Sequence, residues 1–277
     1  MFRQKQITCT SSSVAKSKIN NTKILILCAG DGTRWDNYLG VPKQLIPING
    51  EPLLNRTLRL LCDYGYNDIA IIAHDNRLNL KGVEFFKPPQ FRWTIETLLS
   101  TQPLWAEKTI VLLGDVFYTN QALATILSSN QGVHVYGRQG QNLFTYTPHG
   151  ELFAISFEEN DHYKMKKHLN IARSDAFSGG RGKIWEFYRS LAGFPLNEHK
   201  KPLNEQRKED EIFISIHDLT DDIDRPKEYD KVIKRYSYAA SNNPLKRVLI
   251  NCWIYGMSPL KKFLRPVRNY FLQLINK

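Results

Sequence analysis

The sequence has no apolar stretch that approaches the roughly 18 residues needed to cross a bilayer as a helix. Its first 23 residues, MFRQKQITCTSSSVAKSKINNTK, contain no apolar core of the kind that a secretory signal peptide requires. We therefore expect a cytoplasmic protein rather than an exported or membrane-spanning one.

The sequence also lacks the spacing of cysteines and histidines that builds a structural zinc site. Its 4 cysteines are far apart, with no Cys-x-x-Cys pair, and its 7 histidines are scattered. Structural zinc sites are built from closely spaced pairs of these ligands. The pattern therefore does not support a structural zinc site.

Acidic residues are absent from both ends of the chain. Residues 1–23 hold 5 Lys and Arg, and residues 243–277 hold 7, which together exceed the net charge of +11 for the whole chain. The middle of the chain is thus close to neutral, which argues against a nucleic-acid groove across the fold. We predict a disordered basic tail over residues 1–22, one large folded domain over 23–240 and a basic amphipathic helical extension over 241–277.

The extension leaves two interpretations open. Within residues 245–275, apolar residues fall at helical spacing with Lys and Arg around them. Such a segment can lie on an anionic membrane surface as a peripheral contact, or it can pack on the body of the protein or on a second copy.

Two common phosphate-binding motifs are missing. A dinucleotide fingerprint requires a third glycine three residues after Gly32, where the sequence has Trp35. A P-loop requires Ser or Thr after Gly-Lys, but Gly182-Lys183 is followed by Ile184.

What is present is a glycine turn that directly follows an apolar run. Residues 24–29 read as a buried parallel strand, and the chain then continues as Gly-Asp-Gly-Thr-Arg over 30–34. Two glycines one residue apart permit positive φ and let a ligand approach backbone N–H groups. Arg34 adds a fork of donors suited to phosphate, and Lys43 adds a mobile charge. Together they predict a polyanion site at the carboxyl end of the strand.

This stretch resembles the signature of the nucleoside-triphosphate transferase superfamily, which includes sugar-1-phosphate and molybdopterin nucleotidylyltransferase-like proteins. The resemblance covers a strand, Gly-x-Gly-Thr-Arg, a loop, Pro-Lys-x-Leu and a Gly-x-Pro that opens a helix. It is carried by Gly30, Gly32, Thr33, Arg34, Pro42, Lys43, Leu45, Gly50 and Pro52.

The resemblance implies an α/β, Rossmann-like fold of the nucleotide-diphospho-sugar transferase type. Its mostly parallel mixed sheet would be flanked by helices and carry an antiparallel excursion. The alternation of helical and apolar runs along the chain agrees with this. We predict helices at 52–64, 93–99, 119–129 and 184–191, strands at 68–73, 83–86, 109–113 and 212–216, and the excursion at 133–136, 143–147 and 152–157.

By the same resemblance, the loop and the start of a later helix would bind the nucleotide. The predicted nucleotide-binding residues are Cys28, Ala29, Gly30, Asp31, Gly32, Thr33, Thr94 and Glu96, and Arg34 and Lys43 are the predicted catalytic residues. The family has a glycine beside this position, but the sequence has none beside Thr94. The alternative interpretation is an ordinary helix N-terminus with Glu96 near the positive end of the helix dipole.

Two acidic positions resemble the metal-binding aspartates of the family. Asp115 follows an apolar strand, and Asp222 and Asp224 precede Pro226, with Arg225 in place of the usual Thr. Matched residue by residue, Asp222 takes the metal position of the family and Asp224 a variable one. They would hold Mg²⁺ (or Mn²⁺) on a triphosphate. A turn-capping aspartate and an acidic helix N-cap are the alternatives.

A glycine-rich basic loop over residues 175–183 precedes the helix predicted at 184–191. Arg181 and Lys183 could clamp the phosphate of an acceptor, or the loop could be a plain connection.

The sequence thus predicts a nucleotidylyltransferase that moves a nucleoside monophosphate from its triphosphate to a phosphorylated acceptor and releases pyrophosphate. A sugar 1-phosphate is the first choice of acceptor, which would place the enzyme in sugar-nucleotide biosynthesis. A nucleotide-sugar-dependent glycosyltransferase of related fold and an inactive membrane-associated scaffold are the alternatives.

Overall fold

The computed structural model describes residues 21–30, 32–129, 131–138, 150–198 and 212–239, with only the backbone at residue 231 and residues 234–239. The chain divides into two compact units, Met1–Tyr229 and Asp230–Lys277. In the second unit, the described part is the helical backbone up to Ala239. The predicted extension at 241–277, the predicted strand at 143–147 and nearly all of the predicted tail at 1–22 lie outside the described residues.

Strands and helices alternate along most of the described chain. The strands are β1 (Thr22–Leu27), β2 (Pro47–Ile48), β3 (Glu51–Pro52), β4 (Ile69–Ile72), β5 (Glu84–Phe86), β6 (Lys108–Leu113), β7 (Val116–Phe117), β8 (His134–Arg138), β9 (Glu151–Glu158), β10 (Phe213–Ser215) and β11 (Asp221–Asp222). The helices are α1 (Leu53–Asp63), α2 (Thr94–Ser100), α3 (Asn120–Leu127), α4 (His162–Phe177), α5 (Ile184–Leu191) and α6 (Pro226–Ala239).

Within the described residues, seven strands form the main sheet in the order β10-β8-β9-β6-β1-β4-β5. Strands β6, β1, β4 and β5 run parallel, whereas β9 is antiparallel to both β6 and β8. The fold class is confirmed: a mostly parallel mixed α/β sheet flanked by helices, with an antiparallel excursion at β8 and β9.

Strand β1 lies in the middle of the sheet and is buried on both faces. Ile24 and Ile26 pack against α1 and α3, whereas Leu25 and Leu27 pack against α2, α4 and α5 on the opposite face. Because both faces are covered, every position of β1 favours burial, which is why the strand reads as a continuous apolar run rather than an alternating one.

The carboxyl ends of β1 and β6 are held together at one edge of the sheet. The Gly114 amide donates a hydrogen bond of 2.9 Å to the Leu27 carbonyl oxygen. A Cβ at position 114 would lie 2.2 Å from the Cys28 sulfur, so only glycine allows this approach. The residues after both strands, the glycine turn and Asp115, therefore emerge side by side.

Two features differ from the sequence predictions. Strand β1 ends at Leu27, so that Cys28 and Ala29 already belong to the loop. Helix α4 was not predicted, and its last turn includes the start of the segment 175–183 that was read as a glycine-rich loop. No helix among the described residues is both long and apolar enough to span a membrane.

Tyr118 ties the turn after β6 to the neighbouring strand β9. Its hydroxyl is buried, accepts a hydrogen bond of 2.9 Å from the Leu113 amide and donates one of 2.6 Å to the Phe153 carbonyl oxygen. Burial raises the pKa of Tyr118 well above its ordinary value, with Asp115 adding to the effect, so the hydroxyl stays protonated and available as a donor.

We expect Tyr118→Phe to lower the free energy of unfolding by about 1–3 kcal/mol, because it leaves a buried amide and a buried carbonyl without their partner. Chemical denaturation with urea measures this difference. Tyr163→Phe is the control, because Tyr163 is 80% exposed and should unfold at an unchanged midpoint. Equal midpoints for both variants would show that the Tyr118 hydroxyl does not secure the turn.

Candidate active site

The glycine turn forms one wall of a cavity at the carboxyl edge of the sheet. Gly32 has a φ of +60°, and its carbonyl accepts a hydrogen bond of 2.8 Å from the Trp35 amide. Ala29, Gly30, Gly32 and Thr33 line the cavity. Asp31, also predicted to bind nucleotide, lies outside the described residues.

Trp35 anchors the loop that joins the two predicted catalytic cations. Its side chain is 2% exposed and donates a hydrogen bond of 3.0 Å from Nε1 to the Val41 carbonyl oxygen. Its ring also meets Tyr38 and Tyr229 edge to face, and the Tyr229 hydroxyl donates to the Pro47 carbonyl oxygen at 2.7 Å. Trp35, which occupies the position where a dinucleotide fingerprint needs glycine, therefore anchors this loop.

Lys43 lies at the start of a short 3₁₀ turn and points into the same cavity. Its ammonium donates to Asp115 Oδ2 and, at 2.8 Å, to Asp224 Oδ1. Arg34 pairs with the other oxygen of Asp224. Burial lowers the pKa of Lys43, but the two carboxylates outweigh burial and raise the pKa above its ordinary value, so the ammonium keeps its charge.

A small antiparallel ladder brings the second acidic segment to Asp115. Strand β11 pairs with β7, and the Ile223 amide donates 2.9 Å to the Asp115 carbonyl oxygen. Glu228 then fixes the following turn, because one of its carboxylate oxygens accepts from the Asp224 and Arg225 amides at 2.8 and 2.7 Å. Asp224 is therefore held against the end of β6 although it lies far along the chain.

Asp222 interacts electrostatically with neighbouring carboxylates, and it is not among the residues that line the cavity. Burial raises the pKa of its carboxyl well above the ordinary range, and Glu151 and Asp224 add to the effect. Burial also raises the pKa of Glu151 to about 7, although Arg138 opposes the shift. Arg138 in turn donates a hydrogen bond of 3.0 Å to Asp221. No sequence motif marked Glu151 or Arg138.

The opposite wall of the cavity comes from the start of α2 and the loop before α5. Phe91, Arg92, Trp93 and Thr94 contribute to it, and the Arg92 guanidinium lies 4.5 Å from the centre of the Trp93 ring. A Cβ at Gly182 would lie 2.3 Å from that ring, so the glycine lets the loop pack on the indole. Sequence analysis found Thr94 but missed the three residues before it, which precede the helix and follow no motif.

The structure brings most of the predicted site residues to this cavity of about 270 Å³. Those that line it are Ala29, Gly30, Gly32, Thr33, Arg34, Lys43, Thr94, Asp115, Lys183 and Asp224.

Four predicted site residues do not line the cavity. Cys28 is buried against Gly114, and Asp222 lies among other carboxylates that raise its pKa. Glu96 is buried against α4, where Arg173 Nε lies 3.4 Å from its carboxylate, so its side chain faces away from a nucleotide in the cavity. Arg181 is near Glu186, with 3.9 Å between Nε and Oε1, which leaves Lys183 as the basic residue of that loop in the cavity.

Within the part of the chain that the structure describes, no group of three or more His, Cys, Asp or Glu side chains is arranged to hold a metal ion. Of the three predicted aspartates, Asp115 and Asp224 line the cavity, and a metal-binding role for Asp222 stays a prediction. Mg²⁺ in proteins is commonly held by one or two carboxylates while substrate phosphates complete its shell, and this pair fits that chemistry.

Residues 24–170, more than half of the chain, match the model of the MobA-like NTP transferase domain. The match begins in β1 and includes the glycine turn, Lys43 and Asp115. No match was found among curated protein sequences.

Solved nucleotidylyltransferases have a similar fold. The CTP:phosphocholine cytidylyltransferase of Streptococcus pneumoniae is 17% identical, with a TM-score of 0.50 over 78% of this chain and 99% of that one. A proposed glucose-1-phosphate thymidylyltransferase of Bacillus anthracis is 12% identical, with a TM-score of 0.50 over 81% and 98%. The inositol-1-phosphate CTP transferase of T. maritima is 14% identical, with a TM-score of 0.50 over 79% and 97%. At these identities the likeness concerns the fold.

We expect Trp35→Ala to release the loop between Arg34 and Lys43, because it removes both the hydrogen bond to Val41 and the aromatic contacts. Chymotryptic cleavage after Tyr38 or Leu39 should become roughly tenfold faster, the effect of losing one to two kcal/mol of local stability. Limited proteolysis with mass spectrometry measures this rate.

Trp105→Ala is the matched control for losing a packed tryptophan elsewhere in the fold, where the ring meets Phe157 and Nε1 donates to Thr101. In this variant, cleavage after Tyr38 and Leu39 should be no faster than in the wild type at a temperature at which the protein stays folded. Equal acceleration in both variants would mean that global instability, and not the Trp35 anchor, governs access to the loop.

Proposed function

The chain belongs to the MobA-like NTP transferase family, and from that premise we propose that it transfers a nucleoside monophosphate from a nucleoside triphosphate to a phosphorylated acceptor, with release of pyrophosphate. The enzyme is a nucleotidyltransferase by family; the acceptor, the metal dependence and the roles of individual residues are the proposal.

The observation that carries the proposal is the convergence of four charged groups at one cavity. Arg34 and Lys43 come from the segment after β1, Asp115 follows β6, and Asp224 follows β11, yet all four meet at the carboxyl edge of the sheet. Open α/β sheets bind ligands at this edge. Two cations, two carboxylates and a glycine turn are the groups that a triphosphate and a divalent cation would need.

Asp115 and Asp224 would hold Mg²⁺ or Mn²⁺. A bound divalent cation would neutralise charge on the phosphate oxygens of the substrate. Both carboxylates offer the hard oxygen donors that these cations prefer, and both already engage a positive charge in the structure, the ammonium of Lys43.

The chain's own groups would act by alignment and charge stabilisation. An oxygen of the acceptor phosphate attacks the α-phosphorus in line; a new oxygen–phosphorus bond forms while the bond to the β-phosphate oxygen breaks, and pyrophosphate leaves. The attacking phosphate is already ionised, so no strong general base is needed. The backbone at Gly30–Thr33 and the Arg34 guanidinium would hold the leaving phosphates, and Lys43 would face the charge that grows at the α-phosphate.

The acceptor is proposed from chemistry shared by the similar structures. Their names specify phosphocholine, glucose 1-phosphate and inositol 1-phosphate, each a phosphate monoester of a small alcohol. A sugar 1-phosphate is our first choice for this chain, with phosphocholine-like and other phosphorylated alcohols next. Lys183, which lines the cavity beside Trp93, is available for an anionic group of either substrate.

The test is to incubate the protein with each common nucleoside triphosphate, Mg²⁺ and a panel of phosphorylated acceptors, and to measure pyrophosphate. We expect one triphosphate and one acceptor class to give release that depends on both. Sugar transfer from a nucleotide sugar without pyrophosphate would instead indicate a glycosyltransferase, and binding to lipid vesicles with neither activity would indicate a scaffold.

For the active pair of substrates, we expect Lys43→Ala and Asp115→Ala each to lower turnover by about 10²-fold or more, because each removes a preorganised charge at the reacting phosphates. Steady-state pyrophosphate release measures the loss. Lys164→Ala, an exposed cation on α4, should change turnover by less than about twofold, as is usual for surface substitutions. Unchanged turnover in either cavity variant would remove these residues from the proposed chemistry.

A further inference from the structure

Lys43 uses two of its three donors on the carboxylates that a divalent cation would also need. Its ammonium contacts both Asp115 and Asp224, and its side chain is 11% exposed. Its third donor remains for a phosphate oxygen, but its positive charge lies beside the same carboxylate oxygens that a divalent cation would need, and the two positive charges repel each other. Binding of the cation to both carboxylates therefore requires Lys43 to exchange partners.

The same exchange would leave two carboxylates in need of another cation. The side chains of Asp115 and Asp224 are only 22% and 14% exposed. Two facing carboxylates shielded from water repel one another, and leaving them without a counter-charge costs free energy. Arg34 reaches one oxygen of Asp224 and is not paired with Asp115 by any contact among the described residues.

We propose that Lys43 is the resident counter-ion of a divalent-cation site formed by Asp115 and Asp224, and that it gives up this position when the cation binds. This rests on the proposed function, in which Lys43 then turns to the triphosphate. Before substrate binds, Lys43 competes with the cation for the same two carboxylates. Cation and triphosphate therefore help each other to bind, since each favours the same released position of Lys43.

A second lysine shows what distinguishes this arrangement. Lys23, at the other end of β1, also bridges two carboxylates, those of Asp68 and Glu84. Those carboxylates are 58% and 44% exposed, and neither lines the cavity. Water can solvate them if Lys23 leaves. The Lys43 bridge differs because its carboxylates are shielded and line a cavity large enough to admit a ligand.

The experiment measures the binding of Mn²⁺ alone to the full-length protein, without nucleotide, by electron paramagnetic resonance. Lys43→Met keeps the aliphatic part of the side chain and removes its charge. We expect Mn²⁺ to bind Lys43→Met at least about tenfold more tightly than the wild type, since one charge-assisted contact is worth more than the roughly 1.4 kcal/mol that tenfold represents. Substitution of a residue that is proposed to be catalytic would thus tighten the binding of Mn²⁺.

Two further variants locate the effect. Lys183→Met removes the same charge from the same cavity without touching either carboxylate. The Mn²⁺ affinity of this variant should stay within about threefold of the wild type, because the charge of Lys183 acts on the site only through partly solvated space. Lys43→Met combined with Asp115→Asn should lose the gain. If Lys183→Met gains as much as Lys43→Met, a general change of potential explains the result and the exchange is refuted.

Lys43→Met can also be unstable, because it leaves the two carboxylates facing each other. The melting temperature with increasing Mn²⁺ covers this case: stabilisation must exceed that of the wild type, because a cation that binds only the folded state stabilises it by mass action. Equal or weaker Mn²⁺ binding and equal stabilisation would overturn the proposal. Pyrophosphate release by the wild type in the substrate panel bears on the proposed function alone, so the two can fail separately.

Discussion

One ammonium between two carboxylates is the interaction on which the site depends. Lys43 joins Asp115, at the end of β6, to Asp224, in the turn before α6. Without it, two shielded carboxylates would repel one another across the cavity. The contact therefore fixes the geometry of the site and satisfies its charges, while Arg34 reaches the same cluster from the more exposed side with a side chain that is 56% exposed.

The fold meets this constraint through a close backbone approach and two side-chain anchors that do not involve the charged groups. Glycine at position 114 lets the ends of β1 and β6 approach closely, and Tyr118 secures the turn that carries Asp115. Trp35 holds the loop that leads to Lys43. The charged side chains are thus presented by a rigid frame, as electrostatic preorganisation requires.

The parts predictable from sequence were those with a local signal. Strands buried on both faces appear as continuous apolar runs, and the glycine turn and Lys43 follow a motif with fixed spacing. Helix α4 escaped because its buried face is Met165, Leu169, Ala172 and Ala176, in which the alanines give little contrast against the surrounding Lys, His and Asn. The orientation of Glu96 was also not predicted, because its partner Arg173 lies on that helix.

The pairing of β11 with β7 has a consequence for how the site comes into being. The family match ends at residue 170, so it contains Lys43 and Asp115 but not Asp224. A growing or truncated chain that stops there has the glycine turn and the lysine with a single carboxylate. Such a chain would present a binding edge with surplus positive charge, suited to anions in general. Under the proposed function, the second carboxylate for a divalent cation is added only when β11 pairs with β7.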